Sequence, residues 1–270
     1  MTRGIGHPAV HFLLSLAEPE DAVLLRRRLG VGEPEQHAVE HAVKWVAGFG
    51  APRSVLLWML EEDDPAINAA VFDHEDTPDA VRRDILRGRP FGAAGQRLEV
   101  LVRADEPEIP VGAAGVVGEL RAAAKLKRAR AAARAVGRDD WDLVAEADGE
   151  EPLPGYARWA LSERFDCPPA LRAQFGSHAK FDRRLWEAGV VEPAEYAERG
   201  RRARQVLGVL HFARVLFPRR AQEAAAVLAP LVRFEVGVDP DAWAVLVRRL
   251  QTFAGTVPEL LRTSGAIARG

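Results

Sequence analysis

Asp63-Asp64-Pro65-Ala66-Ile67-Asn68-Ala69-Ala70-Val71-Phe72, continued after Asp73 by His74-Glu75-Asp76-Thr77-Pro78-Asp79-Ala80-Val81-Arg82-Arg83, is the stretch whose reading decides the fold. Each half opens on acidic or polar residues, passes through a proline and runs into residues that favour helix. Proline costs little at the first helical position, because the N–H it lacks has no partner there and its fixed φ suits helix entry. Pro65 belongs to an acidic-Pro turn before a helix, and Pro78 reads as the start of the next.

The same grammar recurs outward. Ala51-Pro52 precedes Arg53 to Leu60, Cys167-Pro168 precedes Pro169 to Phe175, and Glu192-Pro193 precedes Ala194 to Arg199. Phe217-Pro218, Asp239-Pro240 and Val257-Pro258 introduce runs reaching Ala229, Leu250 and Arg262. The run from Arg219 is expected to stop at Ala229, since Pro230 has no donor with which to continue it. Pro52 to Pro78 is 26 residues, Pro168 to Pro193 and Pro193 to Pro218 are 25 each, and Pro218 to Pro240 is 22. Recurrence at such intervals points to a repeat array. Pro78, Pro168 and Pro258 stand 90 residues apart, each followed at the fourth position by arginine. The phrases Thr77 to Arg82, Cys167 to Arg172 and Val257 to Arg262 therefore superimpose, and Arg82, Arg172 and Arg262 occupy one slot, either bridging repeats or lining a surface.

This order of acidic-Pro turn, helix and x-Pro helix start resembles the leucine-rich repeat variant and HEAT-like α-solenoids. The match is clearest over residues 63–83, with a weaker echo from Leu153 to Phe175. The resemblance implies stacked helices with an extended concave surface, and it specifies packing rather than chemistry. The expectation is an all-α, helical-repeat α-solenoid, a single elongated domain over residues 1–270. A loop-rich insertion near 89–115 interrupts it, where Arg89-Pro90-Phe91-Gly92, Gly95 and Asp105 to Pro110 read as loop around a short strand at Leu98 to Val102.

Composition agrees with helix: Ala, Leu, Arg and Glu dominate, and tyrosine occurs only at Tyr156 and Tyr196. The formal charge, 37 − 39 = −2, supplies no overall field to attract nucleic acid or acidic membrane, so such binding would need a local patch. Cys167 is the only cysteine, which excludes an internal disulfide and a multi-thiolate metal site and fits a reducing compartment. The apolar run from Ala9 to Ala17 is interrupted by His11 and reads as a helix face rather than a secretory leader. No stretch approaches the ~20 apolar residues needed to cross a bilayer, so a cytoplasmic location and no membrane partner are expected.

Three constellations bear on chemistry. His37-Ala38-Val39-Glu40-His41 matches H-x-x-E-H, in which two histidines one turn apart bind zinc and the glutamate acts as base. The apolar face Val39, Ala42, Val43, Val46 and Phe49 places His37, His41 and Lys44 on the other, solvated side of that helix. His7 and His11 form a second i,i+4 pair, which reads as ordinary surface or boundary positions rather than as half of a four-imidazole metal site. Arg121, Lys125, Lys127, Arg128, Arg130 and Arg134, with Arg138, crowd one expected helix from Val116 to Arg138 and are the candidate nucleic-acid contacts. They flank the narrow apolar strip Ala122, Leu126, Ala129, Ala133 and Val136, as a solvated helix docked by alanines also would. Helical-repeat DNA glycosylases combine a basic concave surface with Trp and Asp side chains, and Trp141 with Asp139, Asp140 and Asp142 follows this helix. Trp45, Trp58, Trp159, Trp186 and Trp243 sit in helical runs and read as core. Cys167 opens a helix, where the dipole lowers a thiol pKa, but Thr77 and Val257 fill the same slot.

No Gly-rich phosphate loop, G-x-S-x-G or Cys-x-x-Cys is present, so no cofactor and no catalytic residue are assigned. The leading expectation is a non-enzymatic scaffold whose partner is another protein. A nucleic-acid-binding repeat protein, in the manner of a glycosylase-like repair enzyme, is the alternative, and a metal-dependent hydrolase using His37, Glu40 and His41 the third.

Overall fold

The computed structural model describes residues 8–35, 37–109, 112–176 and 179–270. Among them the chain is helical, with no strand. In order the helices are α1 (Pro8–Leu14), α2 (Pro19–Leu29), α3 (Val39–Gly48), α4 (Ser54–Leu60), α5 (Pro65–Phe72), α6 (Asp79–Leu86), α7 (Gly115–Arg121), α8 (Leu126–Ala135) and α9 (Trp141–Glu150). They continue as α10 (Gly155–Ser162), α11 (Pro169–Gln174), α12 (Ala179–Glu187), α13 (Pro193–Arg199), α14 (Ala203–Leu216), α15 (Pro218–Glu235), α16 (Pro240–Leu250) and α17 (Val257–Arg269). None of these helices is both long and apolar enough to cross a membrane.

The prolines act as expected. Pro65, Pro193, Pro218 and Pro240 sit in the first turn of α5, α13, α15 and α16, while Pro78 and Pro168 cap α6 and α11 from outside. Pro230 departs from expectation: α15 runs through it to Glu235. Pro230 and Ala226 both lie on the exposed side of α15, where water can serve the carbonyl that loses its donor. Leu228 and Val232, both fully buried, hold the helix on either side of the proline.

The chain folds into two compact units, one made of residues 1–51 and 191–270, the other of residues 52–190. In the discontinuous unit α14 is the central element, with α1 and α3 packed on it, while α13 and α17 pack on α15 and α16 packs on α17. Phe12, Phe212, Phe217 and Trp243 fill its interior. Gly208 permits the closest approach: a Cβ there would lie 2.7 Å from the ring of Phe49, just beyond α3.

In the continuous unit, the 90-residue offset carries over into helix ends. α4 ends at Leu60 and α9 at Glu150; α5 spans 65–72 and α10 spans 155–162; α6 starts at 79 and α11 at 169. Burial follows the same offset, with Val71 and Leu161, Val81 and Leu171, and Thr77 and Cys167 all in the core. So does one polar contact. Arg82 Nη2 donates to the carbonyl of His74 at 2.9 Å, and Arg172 Nη2 donates to that of Arg164 at 3.1 Å. Arg82 also donates to Phe72 O at 3.0 Å and Arg172 to Cys167 O at 3.1 Å. Both arginines therefore serve carbonyls at or just beyond the end of the preceding helix, which the helix itself cannot satisfy. Arg262 does not share this role: it is largely exposed and lies 3.8 Å from Glu235.

The expected strand at Leu98 to Val102 does not form, since no neighbouring segment offers a ladder for it. No helix occurs among the described residues between Leu86 and Gly115, and other contacts hold that segment. Asp63 accepts hydrogen bonds from the backbone N–H groups of Phe91, Gly92 and Ala94 at 2.7–2.9 Å, and Gly88 O accepts from Leu98 N at 2.8 Å. Asp63 adopts a φ of 56°, an uncommon conformation for a residue with a side chain, and its carboxylate fastens the loop from that position.

Candidate binding cleft

The expected basic helix is two helices, α7 and α8, separated at residues 122–125. Ala122 is exposed at the break, and α8 docks through Ala129, Ala132 and Ala133, with Val136 just beyond its end. The alanines leave little bulk beneath the helix, so α10 can pack closely against it. Lys127, Arg130 and Arg134, spaced i, i+3 and i+7, share another face.

That face lines a cleft of about 780 Å³, within the size range of ligand-binding concavities. Its other walls are Arg53, the α5–α6 turn at Asp76 and Pro78, and the α10–α11 turn at Glu163, Arg164 and Phe165. The two turns lie in the paired three-helix segments related by the 90-residue offset, so equivalent parts of the chain face one cleft with α8 alongside.

The charges divide into committed and uncommitted groups. Arg53 pairs with Asp76 at 2.8 Å. Arg130 grips Glu163 with two parallel hydrogen bonds of 2.8 and 2.7 Å, which raise its already high pKa. Arg164 is buried; it donates to the carbonyls of Ala133 and Val136, pairs with Asp166 and lies over the ring of Trp141. It thereby closes the C-terminal end of α8. Lys127 and Arg134 are exposed on the cleft and have no acidic partner among the described residues.

The remaining cations of the basic segment lie elsewhere. Arg121 donates to Glu151 at 2.6 Å and to Ala147 O at 3.0 Å, Arg128 lies 3.5 Å from Glu119, and Lys125 is exposed outside the cleft lining. Trp141 is core, under Arg164, and so presents no face on which a base could stack. Sequence reasoning missed Arg53, Asp76, Glu163 and Arg164 as lining residues. The 90-residue offset was the available signal for the two turns; nothing in the sequence pointed to Arg53.

The histidines meet in the other unit. His41 and His37 approach through their Nδ1 atoms at 3.0 Å, and Trp45 Nε1 donates to His41 Nε2 at 2.6 Å. An indole only donates, so His41 Nε2 carries a lone pair and the His41 proton sits on Nδ1. That proton is donated to His37 Nδ1, leaving the His37 proton on Nε2, and the relay closes only with both rings neutral. A metal held between the two Nδ1 atoms would require the His41 proton to move to Nε2, at the cost of the Trp45 bond. Glu40 is exposed, and among the described residues no three His, Cys, Asp or Glu side chains are placed to hold a metal ion. His211 and His37 lie 6.0 Å apart between ring centres, and His211 and His11 5.8 Å apart. His11 is buried rather than at a boundary; burial, with Arg26 nearby, pushes its pKa below 6.5 against the opposing pull of Glu33 and Glu35. His7 lies outside the described residues. Trp45, expected in the core, is 44% exposed and stacks on Phe212, whereas Trp58 and Trp243 are buried as expected.

Cys167 is no nucleophile in this setting: burial pushes its thiol up to about 12, overriding Arg172 and Arg164. Comparison of the chain with protein families, with characterised proteins and with solved structures finds no match.

Proposed function

We propose that this protein is a non-enzymatic helical-repeat scaffold for protein–protein interaction, HEAT-like in construction, and that its partner docks in the cleft alongside α8. The supporting observation is that two turns from segments with the same helix ends, 90 residues apart, face a single cleft. Concave surfaces lined by equivalent turns are how stacked helical hairpins recognise partners. The lining also contains no paired nucleophile and base, and Cys167 is held as an unreactive thiol. Nucleic acid is the competing ligand, because Lys127, Arg130 and Arg134 share the cleft.

The test is co-purification with the full chain and with Lys127→Glu/Arg134→Glu, each in nuclease-treated and untreated lysate. A protein retained by the full chain after nuclease and lost from the variant is the expected result. Retained nucleic acid, or a partner lost on nuclease treatment, would transfer the assignment to polynucleotide binding.

A further inference from the structure

The pattern of committed and uncommitted charge in the cleft points to a specific ligand chemistry: we infer that it takes a short acidic peptide segment of a partner protein, held by Lys127 and Arg134. This rests on the scaffold reading and adds the ligand class. Both side chains are exposed on the cleft without a carboxylate partner among the described residues, so an incoming anion displaces no internal ion pair. Seven residues of helix separate them, about 10 Å along the axis of α8. Two anionic groups at roughly that separation would be gripped together, one by an ammonium and one by a planar guanidinium fork.

A polynucleotide backbone fits less well. It presents evenly spaced phosphates and needs a row of free cations. Here the row is interrupted by acids: Arg130 is held by Glu163, Arg53 by Asp76, Arg128 by Glu119 and Arg121 by Glu151. Asp76 and Glu163 stand on the cleft itself and repel a continuous polyanion, while a peptide with discrete acids can place neutral residues opposite them. Pro78, Ala131, Ala160 and Phe165 supply apolar wall between the charges, suited to the uncharged part of a peptide.

The experiment is fluorescence anisotropy with the full chain and three labelled probes: a ten-residue glutamate-rich peptide, its glutamine counterpart, and a single-stranded oligonucleotide of ten nucleotides. Lys127→Ala/Arg134→Ala is compared with Lys125→Ala, which removes a cation of the same segment outside the cleft. The expected result is saturable binding of the acidic peptide, weakened by salt. Affinity falls at least tenfold in the double variant and changes less than twofold in Lys125→Ala, with melting behaviour unchanged in both variants. The inference is overturned by absence of binding at low salt, by equal binding of the glutamine peptide, by insensitivity to the double variant, or by tighter oligonucleotide binding through the same residues. If the acidic peptide fails while a co-purified protein still depends on Lys127 and Arg134, the scaffold reading survives and the ligand class falls alone.

Discussion

Arg82 and Arg172 close the same joint twice, each donating from its guanidinium to carbonyls left over at the end of the helix before it. Removing the side chain takes from Phe72 O and Cys167 O the guanidinium donor each uses, while His74 O and Arg164 O keep the backbone N–H groups of Thr77 and Cys167. We expect Arg82→Ala and Arg172→Ala each to lose about 1–3 kcal/mol in urea denaturation, the scale for hydrogen bonds from a charged group. Arg262→Ala, which removes a loose pair at 3.8 Å with a mostly buried Glu235 that keeps Arg269 as a partner, should change stability by less than about 1 kcal/mol. Equal losses at all three positions would mean that the third phrase is built like the other two. Cys167 allows a second residue-scale check. With its thiol pushed up to about 12 by burial, it should resist iodoacetamide at pH 8 in the native chain and react on unfolding, as followed by mass spectrometry. Rapid native labelling would show that the helix entry at Pro168 opens far more readily than its packing implies.

At the scale of elements, α3 is held to α14 by an aromatic and imidazole contact in which His37, Trp45 and Phe49 meet Phe212, and His37 also meets His211. The pH dependence of this unit follows from His11. Its pKa is lowered on folding, so the folded state binds fewer protons than the unfolded state as pH falls. The stabilisation is complete above the ordinary value of 6.5 and is lost on acidification through it. We predict a falling melting temperature between pH 7.5 and pH 5 for the full chain, and a shallower fall in His11→Leu, measured by circular dichroism. An unchanged slope in that variant would assign the acid sensitivity to other groups. Element starts were legible from sequence because proline chemistry is local. Continuation through Pro230 was not, because it depends on which side of α15 faces water. The break between α7 and α8 was hidden by alanines that fit a helix or a docked loop equally well. Of the site, Lys127, Arg130 and Arg134 were legible as cations of one basic segment, though not as sharing a face. Which cations stay uncommitted was not, since the acids that claim the others, Glu119, Glu151 and Glu163, arrive from elsewhere in the chain.

At the scale of the whole molecule, the proline intervals run through residues of both units, so nothing in their spacing marks where one unit gives way to the other. The division rests on contacts distant in sequence, which local patterns do not encode. Residues 52–190 nevertheless carry what an autonomous domain needs. They have their own core, in which Leu120, Val144, Leu161 and Leu171 are buried together with the alanines of α8. Their two ends also meet: Ser54 N donates to Gly189 O at 3.0 Å, and a Cβ on Gly189 would lie 2.8 Å from Arg53 N, a closeness only glycine at its φ of 76° allows. A segment with adjoining ends can be excised without stretching either the piece or the remainder. We therefore expect residues 52–190, expressed alone, to be helical and to unfold in one cooperative transition, and residues 1–51 joined to 191–270 by a short glycine linker to do the same. Circular dichroism against urea concentration decides it. Gradual, non-cooperative loss of signal from the excised piece would show that its core depends on the rest of the chain. Cooperative folding of both pieces would make the cleft a property of residues 52–190 and the acid sensitivity of His11 a property of the remainder.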